Sequence, residues 1–140
     1  MAKKVLLATV KPFAPAARDQ LVGDWVESQA RSAGWVLASS TGTLLLARAG
    51  VPLGPEAATH WLASERLATY GVETCAQPFF QHRHVITSTG WLGARTASLQ
   101  LTERIHGTDE ARRIANAAEP VTPATTLRRH RWWCRRRRDA

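Results

Sequence analysis

The segment Trp35-Val-Leu-Ala-Ser-Ser40-Thr41-Gly42 constrains the fold more than any other. Trp35 to Ala38 is an unbroken apolar run, which has the character of a strand buried on both faces. It breaks at Ser40 directly into Thr41 to Ala49, which reads as a helix closed by Gly50. So sharp a turn lifts one side chain out of the sheet edge, beside the helix's unbonded N–H groups. Gly42 leaves room for the helix to pack closely on a strand. A nucleophile at Ser40 would feel the positive end of that helix, and an anion formed there would find backbone donors.

The rest of the chain alternates in the same way. Val5 to Val10, bounded by Pro12 and Pro15, reads as a second buried strand. Asp19 is placed to cap a helix running to about Ala33, with Leu21, Val22, Trp25 and Val26 at helical spacing and Gly34 at its end. Val51 to Glu56 is a loop with two prolines. Ala57 to Thr59 reads as a short strand and Trp61 to Thr69 as a helix. Val72 to Phe80 and His84 to Thr87 read as strands around a Gln81-His82-Arg83 turn. Ala94 to His106 is helical, and Thr108 starts a last helix that fades near Ala118, with Asp109 and Glu110 in its first turn, where the macrodipole favours them. The alternation predicts an α/β domain with a mostly parallel sheet covered on both faces.

Length and charge set the remaining bounds. The 140 residues suit one domain, and a hydrophobic fraction of 44% suits a globular one. No apolar run reaches the roughly 18 residues of a membrane helix, and Met1 to Val10 lacks a secretory pattern, so a cytoplasmic protein is expected. Two cysteines, Cys75 and Cys134, build no disulfide framework, and Cys75 reads as a small buried hydrophobe. The net charge of +8 is concentrated at one end: residues 1–127 hold 12 basic and 10 acidic residues. We therefore expect a domain over 1–118, a linker over 119–127 marked by Pro120 and Pro123, and a disordered basic tail over 128–140. In that tail Arg128, Arg129, Arg131, Arg135, Arg136, Arg137 and Arg138 could contact the phosphates of a polyanion, with Trp132 or Trp133 stacking on bases. An acidic membrane surface or no partner at all are the other readings of the tail. His82 and His84 lie at strand spacing, but two imidazoles are too few for a metal site. Gly50 to Gly54 lacks the spacing and the lysine of a phosphate loop. No metal or cofactor is expected.

The ordered motifs Ser40-Thr41-Gly42, Leu44 to Leu46, Ala49-Gly50 and Ala58-Thr59-His60-Trp61 resemble the ThiJ/PfpI (DJ-1/PfpI) family of the glutamine-amidotransferase-like superfamily. Val85-Ile-Thr-Ser-Thr-Gly90 is similar to its Thr-Ser-x-Gly turn, and Leu99 to Gly107 to its long closing helix. The pattern suits best the branch of isonitrile hydratases and the sensing halves of AraC-type regulators, which carries Cys-Thr-Gly and Thr-Thr-His-Trp at these places. The resemblance runs from Val5 to Ala118 and implies a flavodoxin-like three-layer sandwich. It also implies a small-molecule site over Ser40 and His60, with Thr41, Gly42, Thr59 and Trp61 as ligand contacts. Members commonly dimerise.

The departures bear on function. The family's cysteine is replaced by Ser40, whose hydroxyl needs a general base that a thiol near a helix end does not. His60 is the candidate base, but Glu56 and Glu65 are only neighbours in sequence and no orienting acid is evident. The family's acid from the first strand–helix junction has no counterpart, so the chain is expected to lack the first strand or strands and helix. Either another chain then completes the sheet, or the product is a marginal fragment of a decayed or mis-started gene. Where the family's late helix opens Gly-Ile-Asp, this chain has Ala94-Arg95-Thr96. These features predict a non-catalytic module that binds a small molecule or a protein. The alternatives are a lyase or hydrolase of isonitrile-hydratase type, with Ser40 attacking and His60 moving protons, and polyanion binding through the tail.

Overall fold

A computed structural model of the chain describes residues 5–9 and 19–118. In chain order the described elements are β1 (Val5–Thr9), α1 (Gln20–Ser32), β2 (Trp35–Ser39), α2 (Gly42–Arg48), β3 (Glu56–Ala57), α3 (Ser64–Ala68), β4 (Glu73–Thr74), β5 (Phe79–His82), β6 (Val85–Ser88), α4 (Trp91–His106) and α5 (Thr108–Ala118). The main sheet has the order β1-β2-β6-β5, and β3 pairs with β4 in a separate small sheet. β2 runs parallel to both β1 and β6, while β5 is antiparallel to β6.

The alternation of side chains along β2 divides the core in two. Val36 and Ala38, both 0% exposed, share one face with Leu6, Ala8 and Val85 and pack against Val26 and Ala30 of α1 and Leu45 and Leu46 of α2. Leu37 points the other way, with Ile86, to meet Ala97 and Leu101 of α4. The result is three layers with a mostly parallel sheet in the middle, as the sequence predicts. Asp19 caps α1 as expected, its carboxylate accepting the Leu21 N–H at 2.9 Å.

Several local expectations are corrected. β1 is an edge strand rather than a fully buried one: Val5 is 44% and Leu7 60% exposed. Their side of the sheet is covered by α4, which packs chiefly on β2, β5 and β6. The strand expected over Val72 to Phe80 is two strands in different sheets, because residues 76–78 bend ahead of Pro78, whose missing N–H cannot join a ladder. The turn after β5 is Arg83–His84, not Gln81 to Arg83, and Arg83 takes a φ of 52° there. The short strand expected at Ala57 to Thr59 is Glu56–Ala57. The helix expected from Trp61 is a 3-10 turn, Trp61–Ala63, that passes into α3. α4 starts at Trp91 rather than Ala94, with Gly90 before it and the Ala94 N–H bonded to the Gly90 carbonyl at 2.8 Å.

Candidate functional site

Ser40 follows the last residue of β2, and its N–H extends the ladder to the Ser88 carbonyl of β6 at 2.8 Å. Held by that bond, the chain turns through a φ of 58° at Ser40, a left-handed conformation unusual for a residue with a side chain. Thr41 then stands at the N-terminus of α2 without a side-chain capping bond to the helix. Gly42 is indispensable for the approach of α2 to β1: a Cβ there would lie 2.2 Å from the Ala8 carbonyl oxygen.

Three threonines fasten the next segment to this elbow. Thr43 of α2 donates its hydroxyl to the Ala58 carbonyl at 2.8 Å. The Ala58 N–H donates to Thr87 Oγ1 of β6 at 2.9 Å. Thr59 Oγ1 donates to the Ser40 carbonyl at 3.0 Å. Residues 58–60 are thereby pinned across the carboxyl ends of β2 and β6, where open α/β sheets place their ligands.

His60 sits at the end of this pinned segment and caps the 3-10 turn, its Nδ1 accepting the Leu62 N–H at 3.2 Å. A neutral imidazole whose Nδ1 is an acceptor carries its proton on Nε2. The ring also stacks on Trp61, with centroids 5.7 Å apart and planes inclined by 28°. Ser40 and His60 are thus near in the fold, yet no hydrogen bond joins them among the described residues.

Beside the pinned segment lies a cavity of about 440 Å³, lined by Thr59, Trp61, Cys75, Thr89, Trp91 and Leu92 among others. Two of the expected ligand contacts, Thr59 and Trp61, line it. Thr41 and Gly42 are buried in the elbow itself and are not among the named residues of this cavity's wall. Cys75 is buried as expected, its Sγ accepting the Gln77 N–H at 3.4 Å, and it also forms part of the cavity wall. Thr89 lies within the Val85–Gly90 turn motif without being named as a contact there, and Trp91 and Leu92 lie just beyond it. The signal for them was a repeated Trp-Leu pair, Trp61-Leu62 and Trp91-Leu92, each opening a helical turn and each exposed.

Glu56 lies in β3 and Glu65 is exposed in the first turn of α3, and neither orients His60. Among the described residues no cluster of three or more His, Cys, Asp or Glu could hold a metal ion. His82 packs on Gly54 at the end of β5, where a Cβ on the glycine would lie 2.6 Å from its Nδ1, while His84 belongs to the following turn. They do not form the one-faced pair that their spacing suggests. The tail arginines and residues 119–127 lie outside the described residues.

The sequence profile of the DJ-1/PfpI family matches residues 14–104. The chain belongs to the DJ-1/PfpI family. An isonitrile hydratase from Pseudomonas putida is 29% identical to it over 100 residues, which make up 71% of this chain and 44% of the hydratase. A ThiJ/PfpI family protein from Pseudomonas syringae superposes with a TM-score of 0.75 at 21% identity, over 87% of this chain and 52% of that one. An AraC family transcriptional regulator from Pseudomonas putida does so with a TM-score of 0.64 at 16% identity, over 83% of this chain and 63% of its own. This DJ-1/PfpI chain therefore spans about half the length of such relatives. No helix among its described residues is long and apolar enough to cross a membrane.

Proposed function

We propose that this DJ-1/PfpI domain binds a small molecule over the elbow without the family's cysteine chemistry, in the manner of a sensing or interaction module. The observation that carries this reading is the state of His60. Its Nδ1 lone pair accepts the Leu62 N–H, so in this arrangement the neutral ring carries its proton on Nε2 and is not poised as a base toward Ser40. The Ser40 N–H is likewise engaged by the Ser88 carbonyl and cannot serve as an anion donor. What the site does offer is a rigid frame of threonine bonds and an adjoining cavity of about 440 Å³, within the usual range for small ligands.

The likeness to the isonitrile hydratase supports the second reading, hydration of an isonitrile to a formamide with Ser40 as nucleophile and His60 as proton carrier. One experiment separates them. Purified protein is incubated with an alkyl isonitrile and formamide production is followed, alongside Ser40→Ala. We expect no turnover above buffer from either protein. Turnover that disappears in Ser40→Ala would establish the enzymatic reading and sink ours. Binding through the basic tail is tested by deleting residues 128–140. Unchanged DNA affinity and salt dependence would dismiss it.

A further inference from the structure

We infer that the cavity beside the elbow takes a neutral, flat, largely apolar ring that carries an N–H or O–H donor; this deepens the ligand-binding reading above and rests on it. Single exposed hydrophobes are ordinary on a protein surface. Here Trp61 is 74%, Trp91 70% and Leu92 62% exposed, and all three converge on one concavity. An indole face is suited to offset or edge stacking with another ring.

Among the described residues the cavity wall includes no Lys, Arg, His, Asp or Glu. An ionic ligand would give up hydration there and meet no counter-charge. The polar groups narrow the choice further. A threonine hydroxyl has one proton and two lone pairs. Thr59 gives its proton to the Ser40 carbonyl at 3.0 Å, and Thr89 gives its proton to the Pro78 carbonyl at 3.2 Å. Both hydroxyls can therefore only accept from a ligand. Ser64 and Thr74, also on the wall, can act either way. The complement of two fixed acceptors and two indoles is an uncharged ring with a donor on its edge.

The test uses the full 140-residue chain, ¹⁵N-labelled, titrated with indole, N-methylindole, indole-3-acetate and tryptamine while amide shifts are followed. We expect indole to move the amides of Thr59, Cys75 and Thr89. N-methylindole, which lacks the donor, should bind about five-fold more weakly. The anionic and cationic analogues should bind about ten-fold more weakly. Trp61→Ala and Trp91→Ala remove exposed side chains, so their spectra should stay dispersed while each weakens indole about five-fold. Equal affinity for the charged analogues at the cavity would overturn the ligand class and leave the binding function standing. Equal affinity for N-methylindole would overturn the donor requirement. Indole shifts confined to other residues, or unaffected by both tryptophan substitutions, would overturn the inference as a whole, whereas the binding function falls only to Ser40-dependent turnover.

Discussion

Ser40 carries a left-handed backbone that costs a residue with a Cβ about 1–2 kcal/mol. Glycine relieves that strain but loses about 0.5–1 kcal/mol to its freer unfolded chain. Ser40→Gly should therefore raise stability by roughly 0.5 kcal/mol in a denaturant titration, a sign opposite to most glycine substitutions. Gly42 behaves in the contrary way. A methyl group there meets the Ala8 carbonyl at 2.2 Å, and backbone cannot yield as a flexible side chain can. Gly42→Ala should lower the thermal midpoint by the equivalent of about 3 kcal/mol, near the top of the range for overpacking. Both residues were legible beforehand, because a strand that breaks into a helix at Ser-Thr-Gly leaves few geometries open. Trp91 was not. It stands thirty positions from Trp61, and the two meet at one cavity only because β6 inserts beside β2 and delivers the start of α4 there.

At the scale of elements, side-chain hydroxyls rather than a sheet hold the segment that carries His60. Thr87 is 2% exposed and is the acceptor for the Ala58 N–H. Thr87→Val keeps the shape but strands that donor in the core, so we expect a loss of about 2 kcal/mol. Thr89→Val, at the half-buried cavity wall, should cost far less in the same melt. The last helix answers to pH. Arg113 hydrogen-bonds Glu110 at 2.8 and 2.6 Å and thereby holds its carboxyl below the ordinary value. A carboxylate whose pKa is depressed on folding contributes stability above its unfolded pKa, and that contribution fades as pH falls through the lower folded value. Acidification into the carboxylate range should therefore weaken the first turn of α5 slightly, solvent screening keeping the effect of this exposed pair small, and Glu110→Gln should show the same small loss of helical signal at neutral pH. Helix ends were readable in the sequence wherever one residue fixed them, as Asp19 does for α1 and Gly107 for α4. The division of Val72 to Phe80 was not readable, since its apolar run hides two strands that pair with different partners.

For the molecule as a whole, the two sides of the sheet are unequal. Among the described residues the α1–α2 side has a core of 16 buried residues, while the α4 side has four. The unbroken apolar run of β2 disclosed that both sides would be covered, but which helix covers how much is a matter of tertiary placement. Leu7 shares the thinner side with Leu37 and Ile86 by register and is 60% exposed. Leu7→Lys should shift stability by no more than about 0.5 kcal/mol and reduce any concentration-dependent association seen by sedimentation. The thin side also bears on how the protein would be lost from solution. Release of α4 with α5 would uncover Leu37 and Ile86 and join them to Leu7 and Val5 in one apolar strip along β1, β2 and β6. Such an opening is a local event that leaves the larger core intact. Shelf life would then be governed by a rare half-open species, its disappearance second order in protein and arising well below the melting point.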